Sequence, residues 1–314
     1  MKLSRRAVMA GAGSAALAPK TFAQPRHQYA LTPVQVASDL WMIEGSTDYF
    51  STENGGAIVN CALLKTDVGM VVVDTGPSLR YGEALRKVAN ELQPLGVAAV
   101  IVTHHHPDHF FGNQLFSDVP IHALPETRDL AETHGDGFAD NLYRLLGDWM
   151  RGTEPLPPTH AIETSHLVIG GRTFEMLPMS GHSEADLAIL DQQTGTLVAG
   201  DLVFHNRAPT TPSADLTLWR QTLDILATVD AAAILPGHGP LDRTGASIEQ
   251  TADYLNWLER ILTDAADAGL DMVEIQQTPL PDAYAGLGAM PEEFHRSVSH
   301  LFPGIELQAL PLSD

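Results

Sequence analysis

The chain has 314 residues, 44% hydrophobic, 18% charged and 6% aromatic, a composition with enough apolar material for a buried core and unlike that of a collagen, a coiled coil or a largely disordered chain. Its 39 acidic side chains outnumber 18 lysines and arginines, and a net charge of −21 repels a phosphate backbone, which weighs against a nucleic-acid partner. One cysteine, Cys61, excludes an intrachain disulfide and a cysteine-rich zinc module, and no apolar run beyond the N-terminus is long enough for a membrane span.

Residues 1–23 read as an export signal. Lys2, Arg5 and Arg6 form a basic start, Ala7 to Ala18 is small and apolar, and Thr21-Phe22-Ala23 offers a small residue before a cut. Ser4-Arg5-Arg6-Ala7-Val8-Met9 resembles a twin-arginine signal, which predicts export of the folded chain to the periplasm. Cleavage removes four cations and no acid, taking −21 to −25. After a short proline-containing lead, strands are predicted at Leu40 to Ile43, Ala57 to Leu64 and Met70 to Asp74, with Gly45 to Gly56 as a hairpin loop. Tyr81, Leu85, Val88 and Leu92 recur at helical spacing, and Val97 to Thr103 is an apolar strand that stops in histidines. Pro125 to Pro158 reads as helical, with Leu142, Leu145, Leu146 and Trp149 as its apolar face. The second half repeats the pattern, with strands at Phe174 to Met179, Leu187 to Leu190, Thr196 to Ala199 and Ala231 to Leu235. Helical stripes follow at Leu216 to Leu226 and Ile248 to Leu262, and a last helix is predicted at Pro291 to Leu301. Strands alternating with helices imply a layered α/β fold.

Strand after strand runs out into a residue able to bind a metal: His104, His182, Asp201 and His238. Ligand sites of layered α/β folds sit where strands end. In Thr103-His104-His105-His106-Pro107-Asp108-His109, alternation on an extended chain puts His104 and His106 on one side, suited to a shared ion. The turn at Pro107 lets Asp108 and His109 face a second ion, while His105 points away into a supporting role. A nitrogen and oxygen donor set without thiolate fits zinc, with iron or manganese as alternatives. His205, four residues after Asp201, is placed at the pocket wall. Trp41, Tyr49 and Phe50 are candidates for an apolar substrate-binding wall.

His104-x-His106-x-Asp108-His109, Gly181-His182-Ser183, Gly200-Asp201 and Pro236-Gly237-His238-Gly239 together resemble the metallo-β-lactamase superfamily signature. Val72-Val73-Asp74-Thr75-Gly76 resembles its upstream strand with a structural aspartate, and the likeness spans about Leu40 to Ile261. It implies a four-layer αββα sandwich over 24–278, with 279–314 as a C-terminal extension packed on it. By that match His104, His106 and His182 hold one Zn(2+), Asp108, His109 and His238 hold a second, and Asp201 bridges them. The bridging aspartate looks more like glyoxalase II and lactonase relatives than true β-lactamases, and the exported form resembles the periplasmic zinc metallohydrolases called quinoprotein relay system proteins.

These features predict a periplasmic dizinc hydrolase that opens an ester, thioester, lactone or amide of a small-molecule substrate with a metal-bridging hydroxide, Asp108 orienting or accepting the proton. Cys61, inside an apolar strand, is not a covalent nucleophile. Two other classes fit the residues: a mononuclear iron oxidoreductase resembling persulfide dioxygenases, and a non-catalytic metal-binding accessory protein of a quinoprotein or sulfur-oxidation system. True β-lactamase activity is a further alternative within the hydrolase class. The acidic surface also suits a cationic periplasmic partner such as a cytochrome.

Overall fold

The computed structural model describes residues 27–309, so the export motif lies outside the described residues. The first sheet contains β1 (Pro33–Ala37), β2 (Leu40–Ile43), β3 (Cys61–Thr66), β4 (Gly69–Val73), β5 (Val97–Ile101), β6 (Ile121–Ala123) and β7 (His160–Ala161), in that spatial order. Its first four strands form an antiparallel meander and the rest add in parallel. The second sheet has the order β12 (Ala233–His238), β11 (Thr196–Phe204), β10 (Asp186–Asp191), β9 (Arg172–Met179) and β8 (His166–Ile169). Only the β11–β12 pair is parallel in it.

The helices connecting the first sheet are α1 (Leu79–Leu92), α2 (Pro107–Phe110) and α3 (Pro125–Leu146). With the second sheet go α4 (Leu216–Leu226), α5 (Ala246–Ala268), α6 (Met272–Gln276), α7 (Asp282–Ala285) and α8 (Glu292–Ala309). Local chemistry sets several of their starts. Ser78 Oγ accepts from the Tyr81 amide to cap α1, Asp215 accepts from the Thr217 and Leu218 amides to cap α4, and Pro107 and Pro125 open α2 and α3.

Alternation along the strands sorts side chains into three apolar layers. Cys61, Leu63, Met70 and Val72 pack under α1 and α3. Their neighbours Ala62, Leu64, Val71 and Val73 point the other way, meeting Phe174, Met176, Leu187, Ile189 and Val198 of the second sheet. Ala188, Leu197 and Ala199 face α4 and α5. Burial on both faces explains why β4, Cys61 to Leu64 of β3 and Leu197 to Ala199 of β11 are apolar without a polar alternation. The order of layers is αββα, as the resemblance implied. Phe294, Val298 and Phe302 of α8 enter the same core as α4 and α5, so the C-terminal helix shares the main hydrophobic interior.

Several elements differ from the sequence expectation, among them the helix expected over Pro125 to Pro158, which ends as α3 at Leu146. The third strand begins at Cys61 rather than Ala57, because the preceding backbone is drawn to the end of β12: the Asn60 amide side chain donates to the carbonyls of Pro236 and Gly239, and the Asn60 backbone N–H donates to Gly237 O. β11 continues through Gly200 and Asp201 to Phe204, with Gly200 at φ +53° and an irregular register against β12. The proline-containing lead pairs as β1.

Candidate metal centre

Five chain segments deliver the site. Val102-Thr103-His104-His105-His106 runs out of β5, and the turn into α2 sets Asp108 and His109 beyond it. His182 follows β9, Asp201 sits inside the irregular part of β11, and His238 closes β12. Seven side chains from these segments form two adjoining groups: His104, His106, His182 and Asp201 in one, and Asp108, His109 and His238 in the other, every member buried or nearly so.

The donor atoms of the first group converge. His106 Nδ1 lies 3.0 Å from His104 Nε2 and 2.9 Å from His182 Nε2. A nitrogen flanked by two others satisfies at most one of them by a hydrogen bond, whereas ligand nitrogens on one tetrahedral zinc stand about 3.3 Å apart. Asp201 reaches both groups with different oxygens. Its Oδ2 is 3.4 Å from His182 Nε2 and 4.0 Å from His104 Nε2, while its Oδ1 is 3.2 Å from both His109 Nε2 and His238 Nε2. Asp108 Oδ2 is 3.4 Å from His238 Nε2 and 3.7 Å from His109 Nε2.

Outer contacts fix the rings. His238 Nδ1 donates to the Ile58 carbonyl at 2.7 Å, which aims Nε2 at the site, and the ring stacks on Phe204. His109 Nδ1 donates to Asp74 Oδ2, His104 Nδ1 meets Thr103 Oγ1 at 3.1 Å, and His106 Nε2 meets Ser213 Oγ at 3.2 Å. Glycine at 237 is required by the same packing, since a Cβ there would fall 2.0 Å from Asp201 Oδ1.

Burial holds His104 and His106 well below the ordinary histidine range and pushes His182 down to about 3, so all three are neutral donors. Around His109 burial opposes charge, yet Asp201, Asp108 and Asp74 outweigh it and raise the imidazole well above its usual value. Burial likewise opposes a charge on Asp201, but His238, His109 and His182 hold its carboxyl well below the usual range. The ionised Asp201 carboxylate, the neutral imidazoles of His104, His106 and His182, and the buried, otherwise unpartnered Asp201 Oδ1 and His109 Nε2 are a donor set that fits a divalent cation, which would take the place of the proton the carboxylates hold on His109.

A family model described as the metallo-beta-lactamase superfamily matches residues 54–238, which contain all seven of these side chains. The chain belongs to the metallo-beta-lactamase superfamily. It is 24% identical over 235 residues to a probable metallo-hydrolase, YqjP, of Bacillus subtilis, covering 61% of this chain and 70% of that protein. It is 22% identical over 286 residues to a linear primary-alkylsulfatase of a Pseudomonas species, of which the alignment covers 53%, and 76% of this chain. Among solved structures, a metallo-beta-lactamase from Pontibacter korlensis superposes with a TM-score of 0.59 at 22% identity, covering 72% of this chain and 99% of that one.

In this superfamily member a cavity of about 290 Å³ opens beside the two groups, reaching His106, Asp108, Asp201 and His238. Tyr49 and Phe50 line it, from the loop between β2 and β3. Trp41 does not: it sits on β2, packed toward the α1 and α3 core. His205 is also absent from the lining, because its Nδ1 pairs with the Pro240 carbonyl at 2.9 Å and turns the ring to the β12 loop. His105 packs between His106 and the α3 residues His134 and Phe138, outside both donor groups. Sequence reasoning missed Phe138, Leu145, Ser213, Arg296 and His300, which complete the wall. Leu145, expected on the apolar face of the helix, is instead 38% exposed.

Proposed function

We propose that the protein is an exported dizinc hydrolase of small-molecule substrates, cleaving an ester, thioester, lactone or amide. In this reading His104, His106 and His182 hold one ion, Asp108, His109 and His238 the other, and Asp201 spans both. The observation that carries it is the division of the Asp201 carboxylate, with one oxygen toward each donor group. Bound there, a pair of divalent ions supplies Lewis acidity to a carbonyl and an activated water near neutral pH.

The chain's own residues supply the remainder. The Asp74, Thr103 and Ile58 contacts hold His109, His104 and His238 with their Nε2 atoms directed inward before substrate arrives. Asp108, in the second group and at the cavity wall, is placed to orient or accept a proton at its carboxylate. Tyr49, Phe50 and Phe138 give the substrate an apolar wall and exclude water from one side. Cys61 takes no part: it is fully buried in β3, and burial pushes its thiol far up.

Two donor groups favour this reading over a single-iron oxidoreductase, which needs only one, and a cavity opening onto both favours catalysis over a purely metal-carrying role. The basic start, apolar run and small residues of 1–23 support export, and the acidic surface suits a cationic periplasmic partner. The test is elemental analysis of protein recovered from the periplasmic fraction, followed by a panel of thioester, lactone, aryl ester and β-lactam substrates. Two zinc ions per chain and turnover of at least one class are expected. One iron per chain with oxygen consumption on a persulfide would replace this reading.

A further inference from the structure

The cavity beside the donor groups is closed on one side by α8, and the side chains that helix contributes are Arg296 and, one turn on, His300. Arg296 is the only lysine or arginine of the lining, in a chain where acids outnumber those cations 39 to 18. Among the described residues the carboxylate at ion-pair distance from it is Glu293, which Arg207 also engages. Glu293, buried on the same helix, accepts from Thr210 Oγ1 at 2.7 Å and from the buried Arg207 at 3.3 Å, both through Oε1. Its Oε2 stands 3.6 Å from Arg296 Nη1, beyond hydrogen-bond reach, and has no other partner. Two guanidiniums therefore share one carboxylate. Among the described residues the Arg296 guanidinium donates no hydrogen bond, and its side chain keeps 32% of its surface open.

The placement is built. Glu293 ties α8 to Thr210, and Thr210 belongs with Pro212 and Ser213 to the loop that lines the cavity and touches His106. Burial raises the Tyr49 phenol, and Arg296 opposes this more than Arg207 does, while Glu293 and Glu292 add to it, so the guanidinium acts on the aromatic wall of the same cavity. The same cavity also carries an apolar share of its lining, Phe50, Phe138, Leu142 and Leu145.

We propose that Arg296, assisted by His300, is the subsite for a carboxylate carried by the substrate, so that the substrate is an anionic acyl compound with an apolar stretch between its scissile bond and its carboxylate. The proposal rests on the hydrolase reading above and names the substrate class for the same site. Arg296 is the specificity-determining residue. A planar guanidinium binds a carboxylate with two parallel N–H···O bonds and offsets the repulsion of the acidic surface at the point of contact.

The test uses the zinc-loaded mature chain and two aryl esters of equal length, the 4-nitrophenyl hemiester of glutaric acid and neutral 4-nitrophenyl pentanoate. The wild type is expected to favour the hemiester in kcat/KM. Arg296→Gln should lower the ratio of the two values by about ten- to hundredfold, the range for a lost charge-assisted hydrogen bond, with Arg296→Lys in between. A ratio unchanged in Arg296→Gln overturns the proposal. Each ratio is taken within one variant, so a reduced fraction of folded protein cancels. If neither ester is cleaved, the subsite is decided apart from the hydrolase reading by a binding measurement: monomethyl adipate anion against neutral dimethyl adipate, by calorimetry on wild type and Arg296→Gln. A preference for the anion present in the wild type and lost in the variant supports the subsite; an equal preference in both rejects it.

Discussion

Asp74 Oδ2 accepts a hydrogen bond from His109 Nδ1 at 2.8 Å across 35 residues of sequence. The same carboxylate accepts from the Thr103 amide and Thr103 Oγ1, both at 2.8 Å, so it ties the end of β4 to the segment leaving β5. It does so with Asp74 at φ +61°, a left-handed conformation that a non-glycine residue keeps only when its contacts over-determine it. Asp74→Ala should lower stability and weaken metal retention by about 10- to 100-fold in the folded fraction, because the His109 ring loses its orienting partner. Chelator titration of wild type and variant measures this, and equal retention would remove Asp74 from the support of the centre.

Asp201 and His238 should differ in stoichiometry. Asp201 contacts both donor groups, whereas His238 belongs to one. His238→Ala is expected to keep about one ion per chain, and Asp201→Ala to hold neither ion tightly. Gly237→Ala should resemble Asp201→Ala, since the added Cβ drives directly at Asp201 Oδ1. Elemental analysis after dialysis reads all three. Two ions retained in Asp201→Ala would mean that its carboxylate spans nothing.

The donor residues were legible because each is short-range chemistry at a strand exit: His104, His106 and His109 by spacing, and His182 and His238 by the glycine before them. Asp201 was legible as a residue but not in its setting, since the irregular course of β11 through Gly200 depends on its parallel pairing with β12. The cavity's far wall was not legible. An amphipathic helix such as α8 announces an apolar face but not its partner, and Phe294 and Phe302 anchor it to a core assembled from distant α4 and α5. His205 misled for the opposite reason. Four residues after Asp201 looked like proximity, yet the backbone pairs with His238 there and a nearby carbonyl, Pro240, takes the ring.

Arg172 of β9, paired with Asp191 of β10, reaches across to the first sheet. Arg172 Nε and Nη2 donate to the two oxygens of Asp191 at 2.8 and 2.7 Å, and Nη1 donates to the carbonyls of Asp39 and Lys65 on the other sheet. Both side chains are buried, 1% and 0% exposed. Arg172→Ala leaves a buried carboxylate without its guanidinium and two carbonyls without a donor, and should destabilise the chain by about 3–5 kcal/mol. Urea unfolding monitored by circular dichroism tests it. A loss below about 1 kcal/mol, as for a solvent-exposed pair, would show that the contact carries no such role.

Asp242 gives a pH-dependent contribution away from the metal centre. Burial opposes its charge, but four donors outweigh it: the Ser247 amide and hydroxyl on one oxygen, and the Thr244 amide and hydroxyl on the other. They hold the carboxyl well below its ordinary value and order the turn from β12 into the first residues of α5. A carboxyl depressed in the folded state adds stability above its unfolded value of about 3.9, and that stability is lost as the pH falls through the folded value. Asp242→Asn should therefore be less stable than wild type by about 1–2 kcal/mol from pH 8 down to about 5, the size of a lost helix-start contact. Below about pH 4 the gap should narrow. Taking the difference between the two proteins at each pH cancels the acid release of metal, which is common to both. A gap that stays constant to the lowest pH at which both remain folded would show that Asp242 acts through shape alone, without its charge.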